Sequence, residues 1–397
     1  MKSLVCILSY LVGSISCYAQ SDKSITTALT EELEEIAQRE LLVGFSVGIY
    51  NAEGSLYERG FGYADKAEQK EYTVNTIQNI ASISKTFIGL ALLKAQELGK
   101  LDLDDPINMH LPFEVINPFY PEDVITIRQL ASHTSSIQDR GWWYGFNSYV
   151  LKEKKKRGEK KKIYFSNPDK MMSLAQLYEN FLKKGGKSYK KKNFLKHKPG
   201  SNYQYSNIAA ALGAYIIEEA TGESFKAFTQ RYIFDPLEMT DTGWSFDDID
   251  IDHHSRIYTQ SKKPLAFYSL VTYPDGGLRT SASDISKYAS ELLRGTAGRG
   301  SILSKESYKE AFTGALSPEQ VAGRGGDNYA IFFEISENNQ IGHSGSDPGV
   351  ATLMYFDPIK GVGRYLQVNT EVGKKNSDAF IEIYNTLKEY EGKIHAE

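Results

Sequence analysis

The strongest constraint in this 397-residue chain is that its strand candidates are split between its two ends. Residues 43–50 (VGFSVGIY) read as a strand, Asn51 to Gly54 as a turn, and 55–63 as a second strand. Four more short strand candidates follow only at 328–335, 339–343, 350–356 and 363–370. Strands need partners, because an unpaired edge leaves backbone N–H and C=O groups bare. The two ends are therefore expected to fold together. Helical patterns fill the space between them. Residues 85–98 are apolar nearly all round, as a buried helix requires, and 208–220 form another helix closed by Thr221-Gly222. Helices also flank the strands, with Ile25, Leu29, Leu33 and Ile36 at one end and Phe380, Ile383, Tyr384, Leu387 and Tyr390 at the other. The expected class is α/β in the α+β sense: an antiparallel sheet flanked by helices, with an inserted mainly helical region. Its α/β part covers about 20–80 and 271–397, and its helical region about 81–270. With 41% hydrophobic and 24% charged residues, the composition excludes a disordered or fibrous chain. No internal repeat is visible.

The formal charge of −4 excludes a globally basic nucleic-acid binder. That total conceals a split. Residues 151–198 hold 17 Lys/Arg against 4 acids, a net +13, which leaves −17 for the rest. This stretch reads either as a solvated insertion or as a patch that draws an anionic surface or substrate. The only cysteines, Cys6 and Cys17, lie in an N-terminal segment that reads as a signal peptide. Lys2 supplies the positive end, 4–15 the short apolar run, and Ala19-Gln20 the expected cleavage point, giving 1–19 as leader and 20–397 as one domain. An uncleaved anchor is the alternative, though the run is short for a membrane span. A chain cleaved there is exported, to a periplasm or beyond the cell, and has no thiol, so its nucleophile must be an oxygen.

Two serine motifs compete. Gly44-Phe-Ser46-Val-Gly48 matches G-x-S-x-G, but it lies inside an extended run rather than at a strand-to-helix turn, so Ser46 reads as a strand residue. Ser82-Ile-Ser-Lys85 stands at the start of the buried helix. At i and i+3 the lysine amine faces the serine hydroxyl, and burial lowers an amine pKa toward the value a base needs. Tyr205-Ser206-Asn207 follows just before a helix, and His343-Ser344-Gly345 ends a strand candidate.

In this order the three motifs resemble those of the serine β-lactamases and penicillin-binding proteins, most closely the class C β-lactamase-related branch with its esterases and D-amino-acid peptidases. Segments 80–87, 98–106, 125–135, 199–207, 235–243, 276–284 and 342–349 share the resemblance, which spans roughly 25–370 apart from the Lys-rich stretch. It implies a β-lactamase/transpeptidase-like fold and an acyl-serine route. Ser82 would be the nucleophile, Lys85 would take its proton, and Tyr205 would pass a proton to the leaving group. Asn207 would bind the acyl side of the substrate. Ser344, Gly345 and Ser346 would line the site, with the N–H groups of Ser82 and Ser346 as the oxyanion hole. His343 replaces the lysine common in β-lactamases. A neutral imidazole grips a carboxylate more weakly and can titrate near neutral pH, so ester or amide hydrolysis is expected before β-lactam hydrolysis. A cell-wall D,D-peptidase, transpeptidase or β-lactamase is one alternative; a non-catalytic penicillin- or surface-binding protein is another. No cofactor, metal or nucleic acid is expected, only a small-molecule or peptide substrate, and the oligomeric state is left open. His133, in a His-Thr-Ser-Ser run where Ser-Gly is usual after the threonine, reads as loop packing satisfied by its Ser/Thr neighbours. Trp142-Trp143-Tyr144 either lines the cleft or packs the insertion. His253-His254 lies in an acidic turn without metal-ligand spacing.

Overall fold

The computed structural model describes residues 24–154 and 165–396. The expected leader, both cysteines and the basic runs at 155–157 and 160–162 lie outside the described residues. Among those described, no helix is long and apolar enough to cross a membrane.

Eight strands form one antiparallel sheet. They are β1 (Gly44–Asn51), β2 (Ser55–Asp65), β3 (Lys70–Glu71), β4 (Asn328–Tyr329), β5 (Glu334–Ile335), β6 (Ile341–Asp347), β7 (Val350–Asp357) and β8 (Val362–Val368), in the order β3-β2-β1-β8-β7-β6-β5-β4. The first strand pairs with the last, Val47 opposite Leu366. The chain ends therefore do fold together, on an antiparallel sheet. Every residue of β8 and all but the last of β1 is buried. Both faces of these strands are covered, which is why they read as unbroken apolar runs rather than as alternating ones.

Five helices position the sheet and the site: α1 (Ile25–Gln38), α2 (Ser84–Glu97), α3 (Asn207–Thr221), α4 (Ala282–Thr296) and α5 (Ser377–His395). On one face α1 and α5 pack Leu29, Leu33, Ile383 and Leu387 against Val47 and Leu366. On the other, α4 and the helical region share a larger core with Tyr50, Met354 and Tyr365. There Phe87 of α2 stacks on Tyr288 of α4 with ring centroids 3.9 Å apart. Helix α2 runs through this core, and Gly89 lets it close on the backbone of Ile331, where a Cβ would come within 2.4 Å of the carbonyl oxygen.

Two elements differ from the sequence patterning. The strand expected over 328–335 is two short strands separated by Ala330–Phe333. Helix α4 was not singled out, although Ile285, Tyr288, Ala289 and Leu292 form its buried stripe. Ser46 sits fully buried in mid-strand.

Candidate active site

Ser82 lies in a single 3-10 turn, Ala81–Ile83, that leads into α2. Ala81 adopts φ 48°, a left-handed conformation costly for a residue with a Cβ, so the surroundings must hold the turn. Ile80 N–H donates to Leu278 C=O (3.0 Å), and the Thr352 hydroxyl of β7 donates to Ile80 C=O (2.8 Å). Gly345 of β6 admits the turn against the strand: a Cβ there would meet Thr352 Oγ1 at 2.4 Å, Ile80 O at 2.6 Å and Ser82 N at 3.0 Å.

Lys85, one turn on, is wholly buried. Its Nζ is 2.9 Å from Ser82 Oγ and donates to the Asp275 carbonyl at 2.6 Å. Burial pushes the ammonium pKa down, against the upward pull of the Asp275 and Asp347 carboxylates. In the neutral amine the N–H bound to Asp275 leaves a lone pair for the Ser82 proton. Burial raises the Tyr205 phenol well above its ordinary value, against a downward pull from the Ser82 hydroxyl. Tyr205 is therefore held as a neutral phenol that carries the proton it would give. Lys85 Nζ stands 5.0 Å from the centroid of that ring.

Asn207 opens α3, behind the Ser206 N-cap. Its Nδ2 donates to Asp139 Oδ2 (2.8 Å), while Asp139 Oδ1 accepts from Ser206 Oγ (2.8 Å) and Ile208 N–H (2.9 Å). One carboxylate thus caps the helix and fixes the amide expected to face the substrate. Sequence reasoning missed Asp139.

His343 is buried on β6, and both its ring nitrogens are taken. Nδ1 lies 2.5 Å from the Ser344 carbonyl and Nε2 2.9 Å from the Tyr329 hydroxyl. That hydroxyl is also 3.2 Å from Nε2 of His133, whose Nδ1 accepts from Ser206 N–H at 3.3 Å. The two ends dictate the protons. A carbonyl only accepts, so His343 carries its proton on Nδ1 and accepts from Tyr329 at Nε2. An amide N–H only donates, so His133 is protonated on Nε2 and donates to the Tyr329 oxygen. Four bonds run in one direction through two neutral imidazoles. Burial pushes both imidazole pKa values down, that of His133 well below its ordinary value. His343 is thus held neutral rather than poised to titrate. The partners of His133 are Ser206 and Tyr329, not its Ser/Thr loop neighbours.

A cavity of about 410 Å³ opens here, lined by Ser82, Tyr205, Glu334, His343, Ser344, Gly345 and Ser346 together with Thr352 and apolar groups of β7 and α5. Asn207 is not among its lining residues. Strand β5 pairs with β6 only at Ile341 and Gly342, so among the described residues His343 to Asp347 carry no strand partner on that side. Behind Lys85, the Tyr144 hydroxyl bonds both Asp275 oxygens (3.0 and 3.1 Å), and that of Tyr149 bonds Asp347 Oδ1 (2.5 Å). Burial raises each of these two carboxyls to about 7. Trp143 packs on Phe181, with ring centroids 4.5 Å apart. His254 is buried against Phe246 and Phe267. Among the described residues no group of three or more His, Cys, Asp or Glu is placed to hold a metal ion.

An antiparallel sheet between helical layers, carrying a serine bonded to a buried lysine, places the molecule among serine hydrolases of the β-lactamase and transpeptidase fold. The Beta-lactamase family model matches residues 29–387, so the chain belongs to that family. Penicillin-binding protein 4* of Bacillus subtilis (strain 168) is 26% identical over 343 residues, 80% of this chain and 66% of that protein. The chain thus spans just under two thirds of this relative. Among solved structures, D-alanine carboxypeptidase AmpC from Burkholderia cenocepacia superposes with a TM-score of 0.65 at 19% identity, covering 91% of this chain and 99% of the other. EstCE1, described as a hydrolase with promiscuous acyltransferase activity, gives 0.67 at 18% identity with the same coverage. At these identities the two structures speak for the fold alone.

Proposed function

We propose that this chain is an exported hydrolase that cleaves an ester or unstrained amide through an acyl-Ser82 intermediate. The observation that carries the proposal is the 2.9 Å bond between Ser82 Oγ and the buried Lys85 amine. Desolvation favours the neutral amine, so Lys85 takes the serine proton as Oγ attacks the carbonyl carbon. The negative charge that develops on the carbonyl oxygen is received by the N–H groups of Ser82 and Ser346, the pair the family resemblance assigns. Tyr205 then delivers a proton to the leaving group, and water releases the acyl group by the same steps in reverse order. The open edge of β6 offers its backbone to an extended substrate. Export rests on the sequence of residues 1–19.

Preference for an ester or neutral amide over a β-lactam is supported by the cavity lining. It includes Glu334 and, among the described residues, no Lys or Arg, and His343 has both nitrogens engaged. A substrate carboxylate would meet no cation there. The test is a panel of short-chain aryl esters, D-aminoacyl peptides and a chromogenic cephalosporin, run alongside fluorophosphonate labelling. Aryl esters are expected to turn over fastest, and Ser82→Ala is expected to remove labelling and turnover together. Labelling that persists in Ser82→Ala would falsify the assignment of the nucleophile.

A further inference from the structure

Between Lys183 and Lys198 the chain carries eight lysines and no acid. All eight are exposed: Lys183, Lys184, Lys187, Lys190, Lys191, Lys192, Lys196 and Lys198. A charge run of this kind is commonly a loosely solvated face, because ordering it gains little. Here the backbone beneath it is pinned. Asn193 is wholly buried, and its Nδ2 donates to Phe181 C=O (2.6 Å) and Ser188 C=O (3.1 Å). Arg140 bonds Asn193 Oδ1 (3.0 Å) and Ser188 C=O (3.3 Å). Gln138 N–H donates to Asn193 C=O and Leu195 N–H to Ser136 C=O, which lays the lysine segment along 136–138 like a paired strand. Asn117 reaches the carbonyls of Leu195 and His197, and Phe194 is buried beneath. The lysines therefore stand on a rigid support and lose less freedom when a ligand orders them.

The support abuts the active site. Gln138 precedes Asp139, the carboxylate that holds Ser206 and Asn207. We propose that this face docks a linear acidic polysaccharide, bearing carboxylates or sulfates, beside the active site. The side chains favour that occupant. Residues 165–198 contain no Arg, so the planar fork that grips phosphate is missing. The aromatic rings nearby are already engaged: Phe194 is buried, Tyr189 leans on it with ring centroids 6.4 Å apart, and the Lys196 amine stands 5.6 Å from the centroid of Phe119. Large apolar side chains that would enter a bilayer are not exposed between 183 and 198. What remains is a set of point charges, two of them paired with acids (Lys183 with Glu179, Lys198 with Asp123), matched to spaced anions along a flexible polymer. The −17 carried by the rest of the chain repels such a polymer elsewhere and confines it to this face.

The docking stands whichever bond Ser82 cleaves, and the experiment separates the two. Binding of polygalacturonate and dextran sulfate is measured against salt for the full chain, for K187Q/K190Q/K191Q/K192Q, and for K305Q/K309Q as a charge control elsewhere on the surface. Aryl-ester turnover is measured in parallel. The quadruple variant is expected to lose at least about tenfold in affinity at low salt, to show a shallower salt slope, and to keep its aryl-ester turnover. The control is expected to bind like the wild type. Equal affinity in the wild type and the quadruple variant would overturn the proposal. So would tighter binding of single-stranded RNA, or of phosphatidylglycerol vesicles, than of either polysaccharide at equal salt.

Discussion

Tyr329 carries one hydroxyl between two imidazoles, and that hydroxyl both accepts from His133 and donates to His343. No other side chain supplies that pair of roles at that length. In Tyr329→Phe the ring and its packing stay, but His343 Nε2 loses its donor and His133 loses its acceptor. His343, its Nε2 lone pair released, is then freer to take a proton, whereas the Nδ1 of His133 still accepts from Ser206 N–H. The expected result is a kcat lower by roughly tenfold, about 1.4 kcal/mol of barrier, with the acid limb of the kcat/KM profile displaced to higher pH. A pure packing role would lower the melting temperature and leave that limb in place. His343 was legible as a site residue, but its link through Tyr329 to His133 was not, because the three stand 196 and 14 positions apart and Tyr329 sits in a two-residue strand. Asp139 escaped for the same reason, 68 positions from the amide it holds. Ser82 and Lys85 were legible because helix geometry alone brings residues three apart together.

At the scale of elements, the serine turn is held by a strand that approaches too closely for any side chain at Gly345. Gly345→Ala places a methyl group against Thr352 Oγ1, the Ile80 carbonyl and the Ser82 amide. Two of those three are backbone, which cannot swing away. The variant is expected to lose about 1–3 kcal/mol of stability, as overpacking does, and to be labelled at Ser82 at least about tenfold more slowly. Wild-type labelling of a folded Gly345→Ala would show that the turn is held without the close contact. The terminal strands were readable because burial on both faces writes an apolar run into the sequence. The 328–335 segment was not, because apolar side chains continue through the break at Ala330–Phe333. Helix α4 is harder to read although its apolar stripe is regular, because Asp284, Ser286, Ser290 and Glu291 are buried beside that stripe and make the segment look mixed.

Across the whole molecule, two sets of buried groups pull stability in opposite directions with pH. Asp275 and Asp347 titrate near 7 in the folded chain and near 4 when unfolded, so between those values the folded state holds protons the unfolded state has lost. Their contribution falls as pH rises through that window. His133 and His343 stay neutral when folded, whereas unfolded imidazoles protonate below about pH 6.5. Their contribution falls as pH drops. Asp347 faces Tyr149 and, at longer range, Lys85, and replacing it isolates the first set. Asp347→Asn is expected to gain stability relative to wild type as pH is raised from 5 to 8, read as a widening difference in melting temperature. A difference independent of pH would remove Asp347 from this account.

The pairing of β1 with β8 also sets the order in which the chain can assemble. Gly44 N–H meets Asn369 Oδ1 across 325 positions of sequence, so a chain emerging from the ribosome carries β1 and β2 for most of its synthesis without the strand that seals them. Contacts this remote close late and slowly. Until Val362–Val368 has been made, β1 and β7 each keep a bare backbone edge facing the gap that β8 fills. Chains interrupted before residue 362 are therefore expected to aggregate or to be degraded, even though they already contain Ser82, Lys85, Tyr205 and His343.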